Sequence, residues 1–123
     1  MEIILSNVDG TPIYEQIVRQ IKAKIVGGEL KAGEALPSMR LLAKELRISV
    51  ITTKRAYEDL EAAGFIATMP GKGSFVAPQN PELHHEECLK QVEDCLQNAV
   101  DAARRGGVTL DEVQQALTLL WEG

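Results

Sequence analysis

Aromatic residues are scarce in this chain, with one Trp, two Tyr and two Phe among 123 residues. So few rings argue against the stacked platform on which many proteins hold single-stranded nucleic acid. They also leave a core to be built from Ile, Leu, Val and Ala, for which a hydrophobic content of 45% is enough in one domain plus an appendage. Apolar runs are short, and none approaches the roughly 20 residues that cross a bilayer. The opening MEIILSNVDG lacks a basic n-region and a small-residue cleavage site, so a cytoplasmic location and no membrane partner are the expectation. Also missing are a glycine-rich phosphate loop after a strand, a nucleophile elbow, and a His paired with an acid in a plausible pocket. Gly71-Lys72-Gly73 does not have the GxxxxGK[ST] spacing and reads as a turn. Neither an enzyme nor a cofactor is therefore expected.

Cysteine is limited to Cys88 and Cys95. With His84 and His85 they raise the possibility of a metal or redox site, since His84 and Cys88 stand one helical turn apart. Zinc sites with paired ligands use tighter spacing and a second cluster, which is absent here. Seven residues apart on one helix, the two thiols lie about 10 Å from each other, too far for a disulfide. No metal is expected, and both cysteines read as small apolar residues.

The net charge of −5 is unevenly spread. Residues 1–78 carry 10 Lys/Arg against 9 Asp/Glu, whereas residues 79–123 carry 3 against 9. The front of the chain can approach phosphate and the back should avoid it.

The periodicity predicts helices and a hairpin in a definite order. Thr11 and Pro12 read as N-cap and first turn of a helix whose stripe is Ile13, Ile17, Ile21 and Ile25, reinforced by Tyr14 and Val18 and ended by Gly27-Gly28. A loop, ELKAGEA, leads to Pro37, and residues 38–46 read as a second helix with Leu41, Leu42 and Leu46 inward. After a tight turn Ser49 caps a third helix, to about Ala63, with Gly64 beyond it. Thr53, Ala56, Tyr57 and Leu60 form its inner face, which puts Ile51, Lys54, Arg55 and Glu58 outside and Thr52 on the flank. Residues 65–68 and 74–76 read as two strands, with Gly71-Lys72-Gly73 giving the positive φ values of a hairpin tip. Pro78, Asn80 and Pro81 mark a linker. Beyond it, residues 83–105 show a near-heptad seam of Cys88, Val92, Cys95, Ala99 and Ala103 with Leu89, Leu96 and Val100 beside it. After Gly106-Gly107, Thr109 to Glu112 is a capping box for a last helix with Val113, Ala116, Leu117 and Leu120 on one face. The expected fold is mainly α with a small β-hairpin: a winged helix-turn-helix in residues 1–78 and a helical dimerisation tail in residues 79–123.

In such a motif the second helix offers its N-terminal part to base edges, while helix N-termini and basic residues hold phosphate. Ser49, Ile51, Thr52, Lys54 and Arg55 stand where this requires. Ile51 can touch a thymine methyl, and Lys54 or Arg55 can bind phosphate or guanine. Ser38 and Arg40 open the preceding helix near backbone phosphates, and Lys72 with Gly73 forms a wing tip in reach of an adjacent groove. Taken one at a time these are ordinary solvated residues; their order in helix, turn, helix and wing is what points to double-stranded DNA.

Residues 12–76 resemble the DNA-binding domain of the GntR family of bacterial transcription regulators. IYEQI, LPSMRLLA, KRAYEDLEAAGFI and GKGSFV are similar to the YtrA-type branch, in which that domain is joined to a short helical tail. The resemblance implies DNA contacts by Ser38 and Arg40 of an LPSxR motif, by the start of the recognition helix and by the wing, and control of a neighbouring operon, often one for a transporter; the expected mechanism is a dimer that occludes or remodels a promoter as a repressor. It departs in two places. Many YtrA-type regulators enter the recognition helix with an Asn-Pro-Asn-like run, where this chain has Ser49, Val50 and Ile51, so an operator sequence does not carry over. Arg47 stands where many members have Gly, and a positive φ there costs Arg about 1 kcal/mol.

The tail, two helices long, cannot enclose the several hundred Å³ of a typical ligand site, so an effector is not read from it. It can bury a seam against a second copy, through Cys88, Leu89, Val92, Cys95, Leu96, Ala99, Leu117 and Leu120. A homodimer would set two recognition helices about 34 Å apart on two-fold-related half-sites. Folding of the tail back on its own domain is the alternative. So, at the level of function, is a winged helix used for protein contact, which the acidic tail and Val50-Ile51 keep open.

Overall fold

The computed structural model describes residues 1–8 and 10–123. The chain order is α1 (Ile13–Val26), α2 (Met39–Leu46), α3 (Val50–Ala62), β1 (Ile66–Met69), β2 (Gly73–Val76), α4 (Pro81–Gly106) and α5 (Leu110–Glu122). They fall into two compact units, Met1–Glu87 and Cys88–Gly123. The first unit thus runs past residue 78 and takes in the opening turns of α4.

In the first unit α1 buries Ile17, Ile21 and Ile25 as its spacing requires. Its N-cap is Pro12, not Thr11: Pro12 has the extended ψ of 146° that ends the incoming chain, and no side chain caps the helix there. Gln16 is buried as well, on a face that binary pattern alone assigns to solvent. The Gln16 amide accepts from Ser6 N at 2.8 Å and donates to Ser6 O at 2.6 Å; Gln20 repeats the pair on Ile4, at 2.8 and 2.6 Å. Four residues of helix rise about 6 Å and two residues of strand about 6.7 Å, so the two glutamines match alternate residues of an extended segment. They supply the partners that a neighbouring strand would, and Ile3 is thereby fixed in the core.

α2 and α3 are both capped by serine. Ser38 Oγ accepts from Leu41 N at 3.1 Å and Ser49 Oγ from Ile51 N at 3.0 Å. α3 buries Thr53, Ala56, Tyr57 and Leu60, and Gly64 follows its C-cap at φ +84°. α2 departs from expectation at Leu41, which is 47% exposed. Its inward face is Leu42 and Ala43 with Leu46 at the margin, and Leu41, about 100° round from Leu42, turns away. Between the helices Arg47 adopts φ 57°, ψ 47°, the one left-handed non-glycine among the described residues. It closes α2 with its N–H directed to Ala43 O and Lys44 O.

The hairpin is antiparallel, pairing Ile66 with Val76 through to Met69 with Gly73. Its turn is tighter than three free glycine-flanked residues: Lys72 N donates to Met69 O at 2.9 Å, with Pro70 and Gly71 (φ +76°) in the central places of a type II turn. The stretch expected as a plain loop before α2 is partly ordered as sheet. Leu36 N donates to Ser74 O and Val76 N to Glu34 O, both at 2.9 Å, and Ala35 bridges Phe75. Phe65, Ile66 and Val76 close the core under this sheet.

Asn80 and Pro81 are a helix start and not a linker. Asn80 Oδ1 accepts from Glu82 N at 2.9 Å, and Pro81 takes the first helical position, where its missing N–H costs nothing. In the opening turns of α4, Glu87 pairs with Lys22 of α1 at 3.8 Å. The second unit holds the rest of α4 and α5, which begins with the expected capping box: Thr109 Oγ1 accepts from Glu112 N, and the Glu112 carboxylate from Thr109 N. Neither α4 nor α5 has a fully buried residue.

Candidate nucleic-acid interface

The N-terminal half of α3 is held from behind and bare in front. Thr53 Oγ1 lies 3.1 Å from Met39 O and 2.9 Å from Val50 O, sharing its proton between the two carbonyls. This ties the first turn of α3 to the first turn of α2, so Ser38 and Arg40 are brought to the same end of the motif as Ser49, Ile51 and Thr52. Tyr57 reinforces the joint by donating to Pro37 O at 2.7 Å, just ahead of Ser38. Burial pushes the Tyr57 phenol far above its ordinary value, so it remains a donor throughout the physiological range.

The outer face carries Ile51, 80% exposed, with Lys54 and Arg55 exposed and Thr52 half-buried. Val50 and Leu41 add two more exposed apolar side chains at the helix entrance. Ser38 and Ser49 are exposed too, but each oxygen is already an acceptor in a cap. A hydroxyl keeps its proton while accepting, so both can still donate to a phosphate oxygen. The capped N-termini add the positive ends of two helix dipoles on the same side.

The basic residues differ in how free they are. Lys54 is 3.9 Å from Glu58 one turn on, an exposed pair of the kind worth only tenths of a kcal/mol and readily exchanged for a phosphate. Arg55 is instead organised by α1. Its guanidinium carbon lies 3.8 Å from the centre of the Tyr14 ring, and its Nη2 donates to Tyr14 Oη at 3.2 Å. Residue spacing could not show this contact, because the partners are 41 positions apart. The wing is fastened one pair below its tip, where Thr68 N donates to Glu61 Oε2 at 2.9 Å and Thr68 Oγ1 shares a hydrogen bond with Ser74 Oγ. Lys72 and Gly73 are exposed just beyond it, at the turn, with Gly73 at φ +104°.

The residues named for the tail form a different surface. Leu89, Val92, Leu96 and Leu117 are each about half exposed, and Leu120 is 80% and Trp121 87% exposed. Cys88 is half-buried and Cys95 exposed, both as free thiols, and Ala99 is exposed. Val92 and Leu96 of α4 line an open groove of about 360 Å³ with Leu117, Thr118, Trp121 and Glu122 of α5. Trp121 had no place in the sequence reading, although it follows the Leu117 and Leu120 face directly. No helix is long and apolar enough to cross a membrane among the described residues.

Known proteins share this arrangement. The family model for bacterial regulatory proteins, gntR family, matches residues 13–76, from the start of α1 to the end of the wing. The HTH-type transcriptional repressor YtrA of Bacillus subtilis is 32% identical over 105 residues, spanning 85% of this chain and 81% of its own length. A transcriptional regulator from Oenococcus oeni superposes with a TM-score of 0.72 at 27% identity, over 98% of this chain and 97% of that one. The DNA-binding domain of AraR in complex with operator ORX1 superposes with a TM-score of 0.54 at 25% identity, over 60% of this chain and 92% of that one.

Proposed function

The chain belongs to the gntR family of bacterial regulatory proteins and is a DNA-binding transcription regulator, and from that premise we propose how it works. The protein acts in the cytoplasm as a homodimeric repressor on an operator with two-fold-related half-sites. Each protomer lays the N-terminal half of α3 in a major groove, with Ile51, Thr52, Lys54 and Arg55 toward the bases and Ser38, Arg40 and Ser49 on flanking phosphates. Lys72 and Gly73 of the wing reach an adjacent groove. The observation that carries this reading is the split of α3 into one face fully buried against α1 and α2 and another left bare at a doubly capped helix entrance.

The second copy is supplied by the tail. Helices with this much apolar surface and no buried residue gain about 25 cal/mol for each Å² they remove from water, and a partner copy offers the same seam. The dimerisation residues are then Cys88, Leu89, Val92, Cys95, Leu96, Ala99, Leu117 and Leu120, to which the groove adds Trp121. Dimerisation spaces the two recognition helices by about one DNA turn, near 34 Å.

Selection of bound fragments from the source genome tests the proposal, because it returns operator, half-site spacing and regulated genes together. A pair of inverted half-sites is expected, with affinity falling by orders of magnitude between about 50 and 200 mM salt. Changes at Ile51 or Thr52 should shift base preference, at about 1 to 3 kcal/mol per position read. Equal effects on specific and random DNA would remove those two residues from the base-reading set.

A further inference from the structure

Arg55 is the one basic residue of the proposed DNA face whose guanidinium is stacked on a ring from another helix. Resting on the assignment of Arg55 to DNA, we propose that Tyr14 of α1 is a positioning residue for recognition, which holds Arg55 extended and aimed before DNA arrives. The guanidinium carbon lies over the ring, and one of its five N–H donors is spent on Tyr14 Oη. Arg55 as a residue stays exposed, and its four other donors are left for a guanine or a phosphate. Stacking therefore presents this arginine.

Tyr14 is itself held. Its ring packs against the core beside Ile13 and Val18, and its hydroxyl donates to Glu15 Oε1 at 3.1 Å. That hydrogen bond, with desolvation second, raises the phenol above its ordinary value against the opposing charge of Arg55. The hydroxyl thus stays protonated at neutral pH, donating to Glu15 and accepting from Arg55 at once. A free arginine loses most of its rotamer freedom on binding; one already seated on a ring has lost it during folding, and the saving appears as affinity.

The test is a double-mutant cycle on the full-length protein, read as affinity for the selected operator and for random duplex, with thermal unfolding as a folding check. Tyr14→Leu removes ring and hydroxyl and should weaken operator binding about fivefold. Tyr14→Phe keeps the ring face and should lose no more than about twofold. In an Arg55→Ala background both changes should become silent, because the ring then has nothing to position. If Tyr14→Leu still costs its full factor in that background, Tyr14 touches DNA directly and the positioning role is overturned. An unchanged or tighter operator affinity in Tyr14→Leu overturns it too, the latter by showing that the stack withholds Arg55. Should Tyr14→Leu lower the melting temperature too far to be measured, the cycle between Tyr14→Met, which removes the ring but keeps its bulk, and Arg55→Ala decides. Coupling between those two supports the proposal, and strict additivity overturns it. No loss in Arg55→Ala alone would instead show that the assignment of Arg55 to DNA fails, an outcome separate from failure at Tyr14.

Discussion

α3 and α5 are both thirteen residues long, both open on a hydroxyl cap, and yet α3 buries four residues completely and α5 none. The more apolar of the two is α5, with Leu110, Val113, Leu117, Leu119, Leu120 and Trp121. Local sequence suffices to form either helix; what separates them is whether the same chain supplies a surface to pack on. α3 meets α1 and α2, and its remaining face, with Lys54, Arg55 and Glu58 beside Ile51, stands in water and is the one proposed for DNA. α5 shares with α4 a groove left open to solvent, the surface that the proposed second copy would cover.

That contrast can be broken most severely at Leu60, fully buried on α3. Leu60→Ala should cost about 2 to 5 kcal/mol of stability, seen in chemical denaturation, and abolish operator binding. A truncation on the exposed face of α5 should leave the stability of the first unit untouched. Next in size, the double change Leu117→Asp with Leu120→Asp should raise the dimer dissociation constant about 100-fold, or roughly 2.7 kcal/mol, by forcing charge into the seam. Sedimentation across the micromolar range checks it. An unaltered dimer would move the interface elsewhere.

On the DNA side, Arg40→Ala should weaken binding about tenfold on every sequence and lower the salt slope by about one, since a phosphate contact carries no sequence information. A loss confined to the operator would make Arg40 a base reader. The smallest effect belongs to the turn between α2 and α3. Arg47→Gly relieves a left-handed arginine and should stabilise the first unit by about 0.5 to 1 kcal/mol, provided that the extra freedom of the unfolded chain does not offset it. The melting temperature measures this, and a decrease would mean that the arginine side chain contributes more than its backbone costs.

Much of the candidate site was legible before any coordinates. The inner face of α3, the serine caps of α2 and α3, the capping box of α5 and the glycine-tipped wing all follow from signals that act over one to four residues, whereas the left-handed turn at Arg47 was suggested by the family resemblance alone. Leu41 was misread because the eight-residue helix holds three leucines, and periodicity cannot say which two face inward on so short a helix. Asn80-Pro81 was misread because the same pair that breaks one helix can start another. Ala35 was misread because a single bridging residue has no pattern of its own.

Sequence by itself determined where helices begin and end and which stripe of each is apolar, since capping and 3.6-residue periodicity depend on near neighbours along the chain. Tertiary structure alone decided that Gln16 and Gln20 serve as partners for an extended N-terminal segment, that Ala35 joins the wing, and that Tyr14 carries Arg55. In each case one group satisfies another lying 10 to 41 residues away in sequence, and only folding brings such pairs within hydrogen-bonding or stacking reach.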